Sequence, residues 1–544
     1  MVNIIHRRMY ESKQTIRYQN EKDINVEMKE KIGAVEFIKQ KTNVSHTENG
    51  AKGYATTHRP LLDLNFNVTN LRLLPNDKII DMFIDAYADD KEHSIKWLFF
   101  LRDVLDGLGE RRSFRIILKY LADRNSTIAI KLLPFVKEYG RYDDYLILLE
   151  SNIKEDVVKY LKNELDSDLI KIEKRLPISL LGKWLPSINT SSKEAVKYAK
   201  KLAKGFGMSD KEYRKNLSLL RSYSNVLEVK LSKNKWSDVD YEIVPSKANL
   251  KYEKAFIRHD EERRTKFIID TFEKDGKINY KTIMPYEIVT MLKENSYDRK
   301  FKDNLLGELL WKKLSGEKLK NEFGFEDCIV VADGSGSMDL RINNKTSNLD
   351  ICNSLAIYFA EKLKSVFKDT VITFSCNPQI VDLKNCQTLK EKLNRLYAHD
   401  ECANTNIEVV FDLLLDMAVS NKVAPNEIPK QVLIISDMEF DNCVECNNGK
   451  HINSSNTMLF DTIKAMYQIA GYEMPRLIFW NLCGRTGTIP MLENENGLVL
   501  MSGFSQNTAK VAMTKEKKDP YKSLLEVLDK DRYNVIWNAV KNVA

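Results

Sequence analysis

The pattern of apolar runs after residue 321 constrains the fold of this chain more than any other feature of its sequence. Five apolar runs, the first three of them rich in β-branched residues, have the length of strands: Cys328–Ala332, Thr370–Ser375, Gln431–Ser436, Arg476–Asn481 and Leu498–Ser502. Three segments between them have helical periodicity: Leu349–Phe367, Asn406–Val419 and Met458–Ala470. Apolar strands that alternate with amphipathic helices are typical of a parallel sheet covered on both faces. Residues 321–544 are therefore predicted to form a doubly wound, Rossmann-like α/β domain.

The preceding part of the chain has helical patterns and few strand patterns. The apolar residues of Ser94–Leu105 are spaced so that they fall on one face of a helix. Similar amphipathic segments follow, separated by glycine-containing turns: Ser113–Leu121, Ala129–Lys137 and Tyr142–Glu150. Because helices joined by short connections usually stack, residues 56–320 are predicted to form an α-helical repeat scaffold of HEAT type. Residues 1–55 are polar and weakly patterned, and we expect them to form an N-terminal arm.

The composition predicts a soluble protein, with 43% hydrophobic and 30% charged residues. No apolar run approaches the roughly 20 residues that span a bilayer, and the N-terminus has no secretory pattern. The eight cysteines all lie between Cys328 and Cys483, as expected for reduced thiols in a cytoplasmic protein. We therefore expect a cytoplasmic protein without a membrane partner.

One cysteine spacing is compatible with a metal. Cys443, Cys446 and His451 offer three zinc ligands. A closed structural zinc site takes four, and no obvious fourth ligand lies nearby, so a loop with two free thiols is the favoured alternative.

Charge is distributed unevenly along the chain, whose net charge is +7. Residues 1–320 carry 61 basic and 48 acidic residues, whereas residues 321–544 carry 23 basic and 29 acidic residues. A basic first part joined to an acidic second part favours a polyanion as the partner of the first part. A lysine-rich solvated surface gives the same asymmetry, so charge alone leaves both interpretations open.

Polar residues follow the predicted strands where a parallel sheet binds its ligands. Asp333-Gly-Ser335-Gly-Ser337 follows the first strand, Asp437 follows the third, and Thr405 stands at the start of a predicted helix. Since ligands of open α/β sheets bind at the carboxyl ends of the strands, we expect these side chains to converge. Their oxygens suit Mg²⁺, which takes about six oxygen ligands and retains part of its water. The neighbouring acids are interpreted as solvated loop residues: Asp339, Glu439 and Asp441.

This pattern resembles the metal-ion-dependent adhesion site of the von Willebrand factor A domain family, which has Asp-x-Ser-x-Ser, then Thr, then Asp. The resemblance implies that Ser335 and Ser337 bind Mg²⁺, or another divalent cation, directly through their hydroxyls. It implies that Thr405 binds directly or through water. Asp333 and Asp437 would act mainly through bound water and by orienting the serines. The third element is Ser-Asp-Met where the family more commonly has Thr-Asp-Gly, which leaves the aspartate in place.

The helical part resembles that of the Ro autoantigen, or TROVE, family, in which a ring of helical repeats binds misfolded and small non-coding RNAs. In that family the A domain closes the ring. Arg102-Asp103 with Gly107–Arg112 is similar to its RD…GxGxR turn, and Tyr139–Asp144 is similar to its YGRWDDL element. A further resemblance, over nearly the whole chain, is to the family catalogued as domain of unknown function 2828. Seven stretches carry it: Thr47–Gly50, Leu61–Leu64, Lys183–Pro186, Tyr213–Lys215, Asp437–Phe440, Phe479–Asn481 and Ser502–Ser505.

Basic residues of the helical part are candidate RNA contacts under the Ro-like resemblance. These candidates are Arg111, Arg112, Arg115, Lys197, Lys200, Lys201, Lys204, Arg214, Lys215, Arg258, Arg263 and Arg264. The four lysines among residues 197–204 are spaced as one stripe of a helix, which could follow a phosphate backbone. The interleaved aromatic residues Tyr198, Phe206 and Tyr213 could stack on unpaired bases. The alternative is a solvated lysine face above a core of aromatic residues.

Together these features predict a Ro-like RNA-binding protein with a Mg²⁺-dependent A domain that closes a ring or binds a protein partner. The alternative is a metal-dependent protein–protein adaptor without RNA binding, in which the ion takes a partner's carboxylate. An adaptor for an ATPase is a third, less favoured interpretation. Because the sequence has no Walker A loop, Gly-x-Ser-x-Gly elbow or His-x-Glu metal motif, we assign no catalytic residues. We expect neither enzyme activity nor a small-molecule substrate.

Overall fold

The chain forms two compact units, each described by itself below. The computed structural model describes residues 43–295, 299–316, 327–364, 366–374, 378–399, 407–425, 427–441, 459–494, 496–512, 514 and 518–543. The α/β unit comprises residues 43–71 and Met284–Val527, and the helical unit comprises Arg72–Ile283 and residues 528–543. The predicted boundaries at residues 55 and 320 therefore differ from those of the structure. Segments on both sides of the helical unit belong to the α/β unit, and the last helix of the chain belongs to the helical unit.

The elements of the described residues are mostly helices. The strands are β1 (Ser45–His46), β2 (Lys52–Gly53), β3 (Cys328–Asp333), β4 (Arg341–Asn343), β5 (Thr346–Ser347), β6 (Thr370–Phe374), β7 (Gln379–Asp382), β8 (Gln431–Ser436), β9 (Arg476–Asn481) and β10 (Leu498–Ser502). The α-helices are α1 (Pro60–Phe66), α2 (Asn76–Asp89), α3 (Lys91–Arg102), α4 (Arg112–Arg124), α5 (Ser126–Tyr139), α6 (Lys154–Glu173), α7 (Leu181–Trp184), α8 (Lys193–Gly205), α9 (Asp210–Tyr223), α10 (Leu227–Ser232), α11 (Ser246–Glu273), α12 (Pro285–Leu292), α13 (Leu305–Gly316), α14 (Asn348–Lys362), α15 (Leu389–Tyr397), α16 (Glu408–Ser420), α17 (Leu459–Ile469), α18 (Pro520–Leu528) and α19 (Asp531–Val540). Short 3₁₀ helices span Asn70–Arg72, Tyr142–Glu150, Trp236–Asp238, Gly336–Asp339 and Gln506–Val511.

The α/β unit is built around a sheet with the strand order β10-β9-β8-β3-β6-β7. All residues of β3, β9 and β10 are buried, so both faces of the sheet are covered, as the continuous apolar runs predict. The chain leaves β3 for β6 on one side and later returns to β8 on the other side. The strand order therefore reverses between β3 and β8, and the carboxyl ends of these two strands form the ligand-binding edge of such a sheet.

The sheet is mixed, and the prediction of a wholly parallel sheet is wrong at one edge. β3, β6, β8, β9 and β10 are parallel to one another, but β7 pairs with β6 in the antiparallel direction. Only four residues connect β6 to β7, from 375 to 378. A parallel crossover needs about a dozen residues, so a connection of this length forces an antiparallel pair.

The residues that precede the helical unit belong structurally to the α/β unit. β1 and β2 form a short antiparallel hairpin. Beyond it, the Tyr54 and Ile489 backbones exchange two N–H···O bonds, each of 2.8 Å. Asn481 Nδ2 donates to the Phe66 carbonyl at the end of α1 at 2.9 Å, and the hydroxyls of Thr69 and Ser502 lie 2.9 Å apart. The described end of the predicted N-terminal arm is therefore an integral part of the α/β unit.

The helical unit consists of α2–α11 and α19, and no strand occurs in its described residues. The predicted helices over 94–105, 113–121 and 129–137 are confirmed as α3, α4 and α5, with boundaries shifted by a few residues. Tyr142–Glu150 has the predicted boundaries but is a 3₁₀ helix. Among the helices of the described residues, none has the length and apolar character that crossing a bilayer requires.

The helical unit contains a buried ion-pair cluster. Asp144, in the 3₁₀ helix, is fully buried, and Arg102 at the end of α3 is 1% exposed. Arg102 Nε donates to Asp144 Oδ2 at 2.8 Å, and Arg115 Nε donates to Asp144 Oδ1 at 2.6 Å. A Cβ atom on Gly140 would lie 2.4 Å from Asp144 Oδ2, so only glycine fits there. Gly140 and Asp144, from the motif similar to the YGRWDDL element, therefore have a structural role in the core.

Candidate metal site

Asp333 lies at the carboxyl end of β3, where the strand order of the sheet reverses. Because Ala332 of β3 pairs with Ile435 of β8, Asp333 and Ser436 end neighbouring strands. The Ser436 hydroxyl donates to Asp333 Oδ2 at 2.6 Å, and the Ser335 backbone N–H donates to Asp333 Oδ1 at 2.9 Å. Asp333 is fully buried. Both of its oxygens are thus held in fixed positions beneath the loop that follows β3.

The loop after β3 presents two hydroxyls side by side. Ser335 Oγ and Ser337 Oγ are 3.0 Å apart. The following 3₁₀ helix is anchored by the fully buried Met338, while Ser337 is partly exposed to solvent. Two neighbouring oxygens of an octahedral Mg²⁺ shell, each about 2.1 Å from the ion, are themselves about 3.0 Å apart. The spacing of the two hydroxyls fits adjacent positions of such a shell.

Asp437 directly follows β8 and brings a second buried carboxylate to this edge. Burial raises the pKa of Asp333, and the charge of Asp437 raises it further, against hydrogen bonds from Ser436 and Ser335. Burial also raises the pKa of Asp437, against a hydrogen bond from Ser337 and the charge of Arg485. A cation bound between these carboxylates would favour the ionised form of both. Since the donors are hydroxyl and carboxylate oxygens, the residues present fit a hard cation such as Mg²⁺.

Thr405 lies outside the described residues, as do Cys443, Cys446 and His451. The structure therefore brings together Asp333, Ser335, Ser337 and Asp437 of the predicted metal ligands, and the fifth position remains a prediction.

The interpretation of Glu439 as a solvated loop acid is wrong. Glu439 is fully buried, and its carboxylate accepts from the backbone N–H of Glu48 at 2.8 Å and of Thr486 at 2.9 Å. Its sequence neighbours alone gave no sign of these partners, because both are distant in the chain. Asp339, in contrast, is exposed and pairs with Arg299 at 3.1 Å.

Met438, next to Asp437, has a left-handed backbone conformation with a φ of 63°. This conformation is unfavourable for residues with a Cβ atom and is readily adopted by glycine. The departure from Thr-Asp-Gly noted in the sequence therefore falls where the backbone suits glycine. The Met438 side chain is 3% exposed, so its burial offsets part of the strain.

Arg485, which lies in the loop after β9, is a further residue of the site that no sequence pattern indicated. Arg485 Nη1 is 3.2 Å from Asp437 Oδ2, and Arg485 Nη2 is 2.7 Å from Glu48 Oε2. The resemblance to the adhesion-site pattern has no position for such a cation. Only the adjacency of β8 and β9 in the sheet brings it to Asp437.

The predicted RNA contacts differ in how accessible they are. Nine are exposed: Arg111, Arg112, Lys197, Lys200, Lys204, Arg214, Lys215, Arg258 and Arg263. Arg115 and Lys201 are partly buried, and Arg115 pairs with the buried Asp144 cluster. Arg264 is fully buried and pairs with Glu253 at 2.6 Å, so it is a core residue that cannot reach a phosphate.

The aromatic residues proposed for base stacking lie in the core. Tyr213 is fully buried, and Tyr198 and Phe206 are nearly so. A helix of mixed lysine and aromatic residues does not reveal from its sequence which face packs inward, so the exposure of these three residues was not predictable. The alternative interpretation, of aromatic residues as core, is correct for all three.

Comparisons with known proteins match two family models to different parts of the chain. Residues 190–321 match the model described as domain of unknown function DUF2828, and residues 327–541 match the one described as domain of unknown function DUF7788. The resemblance to the DUF2828 family that the sequence predicts is thus supported over residues 190–321. The segment that follows matches the DUF7788 model instead.

One relative and one solved structure cover most of the chain. Uncharacterized protein L728 of Acanthamoeba polyphaga mimivirus is 28% identical over 524 residues, which are 90% of this chain and 87% of the relative. The crystal structure of the Deinococcus radiodurans RO (RSR) protein is 10% identical and covers 76% of this chain and 92% of its own, with a TM-score of 0.31. A TM-score this low does not establish a common fold.

Proposed function

We propose that this chain is a binding protein whose α/β unit holds a divalent cation, Mg²⁺, at Asp333, Ser335, Ser337 and Asp437. The observation that carries the proposal is the convergence of two serine hydroxyls, 3.0 Å apart, with two buried carboxylates at the switch point of the sheet. We further propose that the α/β unit is a von Willebrand factor A domain with a metal-ion-dependent adhesion site, completed by Thr405. The proposal assigns binding, not catalysis, to this site, in a cytoplasmic protein.

The position of each residue in the site would determine its role in binding the cation. Ser335 and Ser337 would present hydroxyl oxygens to the cation, and Ser337 is the one that reaches solvent. Asp333 holds the Ser335 backbone and would act on the site through water, as would Asp437. When bound, the cation would supply an open position for an anionic oxygen of a ligand, a carboxylate or a phosphate. A partner protein with an exposed aspartate or glutamate is the simplest such ligand.

A thermal denaturation series in the absence and presence of MgCl₂ tests the metal site. Mg²⁺ at a hundredfold excess over its Kd should stabilise the unmodified chain by about 2.7 kcal/mol. Asp333→Asn should raise the melting temperature without Mg²⁺, because it removes a buried charge, and should abolish the Mg²⁺-dependent increase. Ser337→Ala should reduce that increase, and the control Asp339→Asn, on an exposed residue of the same loop, should not. An undiminished Mg²⁺ response in Asp333→Asn would contradict the assignment.

A second function, RNA binding by the helical unit, is favoured by the surface of α8. This helix carries five lysines and one glutamate. Its Lys197, Lys200 and Lys204 are exposed at helical spacing, above a buried face that includes Ala199 and Leu202. Glu150 pairs with Lys197 at 2.8 Å and with Lys201 at 3.2 Å, which neutralises part of this charge. The stripe would follow a phosphate backbone through charge, without base recognition.

Fluorescence anisotropy with a labelled single-stranded RNA tests the second function. The unmodified chain should bind at low salt, with an affinity that falls steeply as salt rises. The double variant Lys200→Glu/Lys204→Glu should weaken binding by at least about tenfold. The slope of the logarithm of its binding constant against the logarithm of the salt concentration should be smaller in magnitude by about two. Lys131→Glu, on an exposed position of α5, is the control for the change in charge. No binding by the unmodified chain at low salt would leave the metal-dependent adaptor as the function.

A further inference from the structure

We propose that Arg485 is a tethered cation that weakens divalent-cation binding at the metal site. Glu48 partly offsets this effect, because it pairs with the Arg485 guanidinium. The proposal rests on the proposed metal site and concerns how its affinity is set. Arg485 is contributed by the loop after β9, and Glu48 by the turn between β1 and β2. Neither belongs to the ligand pattern that the sequence predicts.

The contact between Arg485 and Asp437 places a permanent positive charge at the edge of the site. Arg485 Nη1 lies 3.2 Å from Asp437 Oδ2, an oxygen of a fully buried carboxylate. The other guanidinium nitrogen, Nη2, lies 2.7 Å from Glu48 Oε2. A guanidinium stays charged throughout the usual pH range, so a change of pH does not remove its repulsion of a second cation.

The buried carboxylate of Glu439 holds the backbones of Glu48 and of the Arg485 loop in place. Glu439 Oε2 accepts from the Glu48 backbone N–H at 2.8 Å, and Glu439 Oε1 accepts from the Thr486 backbone N–H at 2.9 Å. The first bond fixes the turn that carries Glu48, and the second fixes the residue after Arg485. Glu439 is therefore a positioning residue that sets the distance between the Glu48 and Arg485 backbones.

Further bonds stiffen both segments. Gly484 N–H donates to Asn481 Oδ1 at 2.7 Å, just before Arg485. On the other side, Asn49 Nδ2 donates to the Glu439 carbonyl at 2.7 Å, and Thr47 Oγ1 donates to the Phe440 carbonyl at 2.5 Å. The guanidinium is thus shared between two carboxylates on fixed backbones, one buried and one 47% exposed.

The sharing gives the two side chains opposite effects on the cation. Arg485 neutralises Asp437 and repels a divalent cation, whereas Glu48 attracts the guanidinium and partly cancels its charge. A unit charge about 6 Å from a divalent cation changes its affinity by about tenfold, even at the dielectric constant of water. Removing Arg485 should therefore tighten binding, and removing the charge of Glu48 should weaken it.

Isothermal titration calorimetry with MgCl₂ at low ionic strength tests the proposal on the full chain. Arg485→Gln should bind Mg²⁺ about tenfold more tightly than the unmodified chain, and Glu48→Gln should bind it more weakly. Arg395→Gln, the same change on an exposed residue of α15, should leave the affinity within about twofold. Without Mg²⁺, Arg485→Gln should melt at a lower temperature, because Asp437 then loses its counter-charge.

The outcomes separate this proposal from the one on which it rests. If the unmodified chain binds Mg²⁺ and Arg485→Gln binds it equally or less tightly, Arg485 does not oppose the cation and the metal site stands without it. If the unmodified chain binds no Mg²⁺, both proposals are overturned. Should Arg485→Gln fail to fold, Glu48→Gln carries the test, and an unchanged or higher affinity in that variant overturns the proposal.

Discussion

The buried cluster around Asp144 allows a quantitative prediction about the helical unit. The Asp144 carboxylate is fully buried and contacts the side chains of Arg102 and Arg115 and the backbone N–H of Arg141. Asp144→Asn keeps the size of the side chain but removes its charge. Arg102, which is 1% exposed, would then be a buried cation without its counter-charge. Breaking a buried ion pair in this way costs about 3–5 kcal/mol.

Urea denaturation followed by far-UV circular dichroism measures this cost. For a unit of this size a urea m-value of about 2–3 kcal/mol/M converts it to a midpoint lowered by about 1–2.5 M. The matched control is Asp166→Asn, which removes an exposed i,i+4 pair with Lys162 on α6. Such exposed pairs contribute about 0.5 kcal/mol, so its midpoint should move by at most a few tenths of 1 M. Equal shifts in the two variants would refute the structural role given to the Asp144 cluster.

Two further predictions concern backbone strain and pH. In urea denaturation, Met438→Gly should be more stable than Met438→Ala by about 1 kcal/mol, which is the reverse of the usual order. The reason is that only glycine relieves the strain of a φ of 63°. A glycine variant less stable than the alanine variant would contradict this strain. Burial lowers the pKa of His93, but the hydrogen bonds and charges of Asp90 and Asp529 outweigh it and raise the pKa above its ordinary value. The contribution of His93 to stability is therefore full below about pH 6.5 and is lost as the pH rises through the folded-state value. The difference in unfolding free energy between the unmodified chain and His93→Gln should be larger at pH 5.5 than at pH 8, and a constant difference would argue against this ionisation.

The sequence predicted the central sheet well, because its signal is local. The boundaries of β8, β9 and β10 agree with the predicted strands, since each is a continuous apolar run that ends at a polar residue. The antiparallel β7 escaped prediction because Gln379–Asp382 is short and has no such run. Its direction is fixed by the length of the connection to β6, which becomes informative only when the strand is known.

The unit boundaries were less predictable, because they depend on contacts between residues distant in sequence. Tyr54 and Ile489 pair their backbones, and Phe66 accepts a hydrogen bond from Asn481. Nothing in the composition of residues 43–71 indicates that they pack on the sheet. The same reason explains why Arg264, one of a run of charged residues, was expected at the surface although it is fully buried against Glu253.

The residues of the metal site were less predictable than the central sheet and more predictable than the unit boundaries. Asp333, Ser335, Ser337 and Asp437 were predicted as a group because each lies in a segment that follows a predicted strand, and parallel neighbours bring strand ends together. Arg485 also follows a strand, but an arginine near a proposed cation site carries no local signal of its role. Its significance appears only in the 3.2 Å distance to Asp437.

A diffraction experiment on crystals soaked in MnCl₂ tests the metal site most directly, because Mn²⁺ takes the oxygen ligands of Mg²⁺ and gives an anomalous signal. The proposal predicts an anomalous peak about 2.1–2.3 Å from both Ser335 Oγ and Ser337 Oγ, beside the carboxylates of Asp333 and Asp437. The same peak should be absent from crystals of Ser335→Ala/Ser337→Ala. A soaked crystal without a peak between the two hydroxyls, or with one only at another acidic cluster, would contradict the metal-binding role of this site.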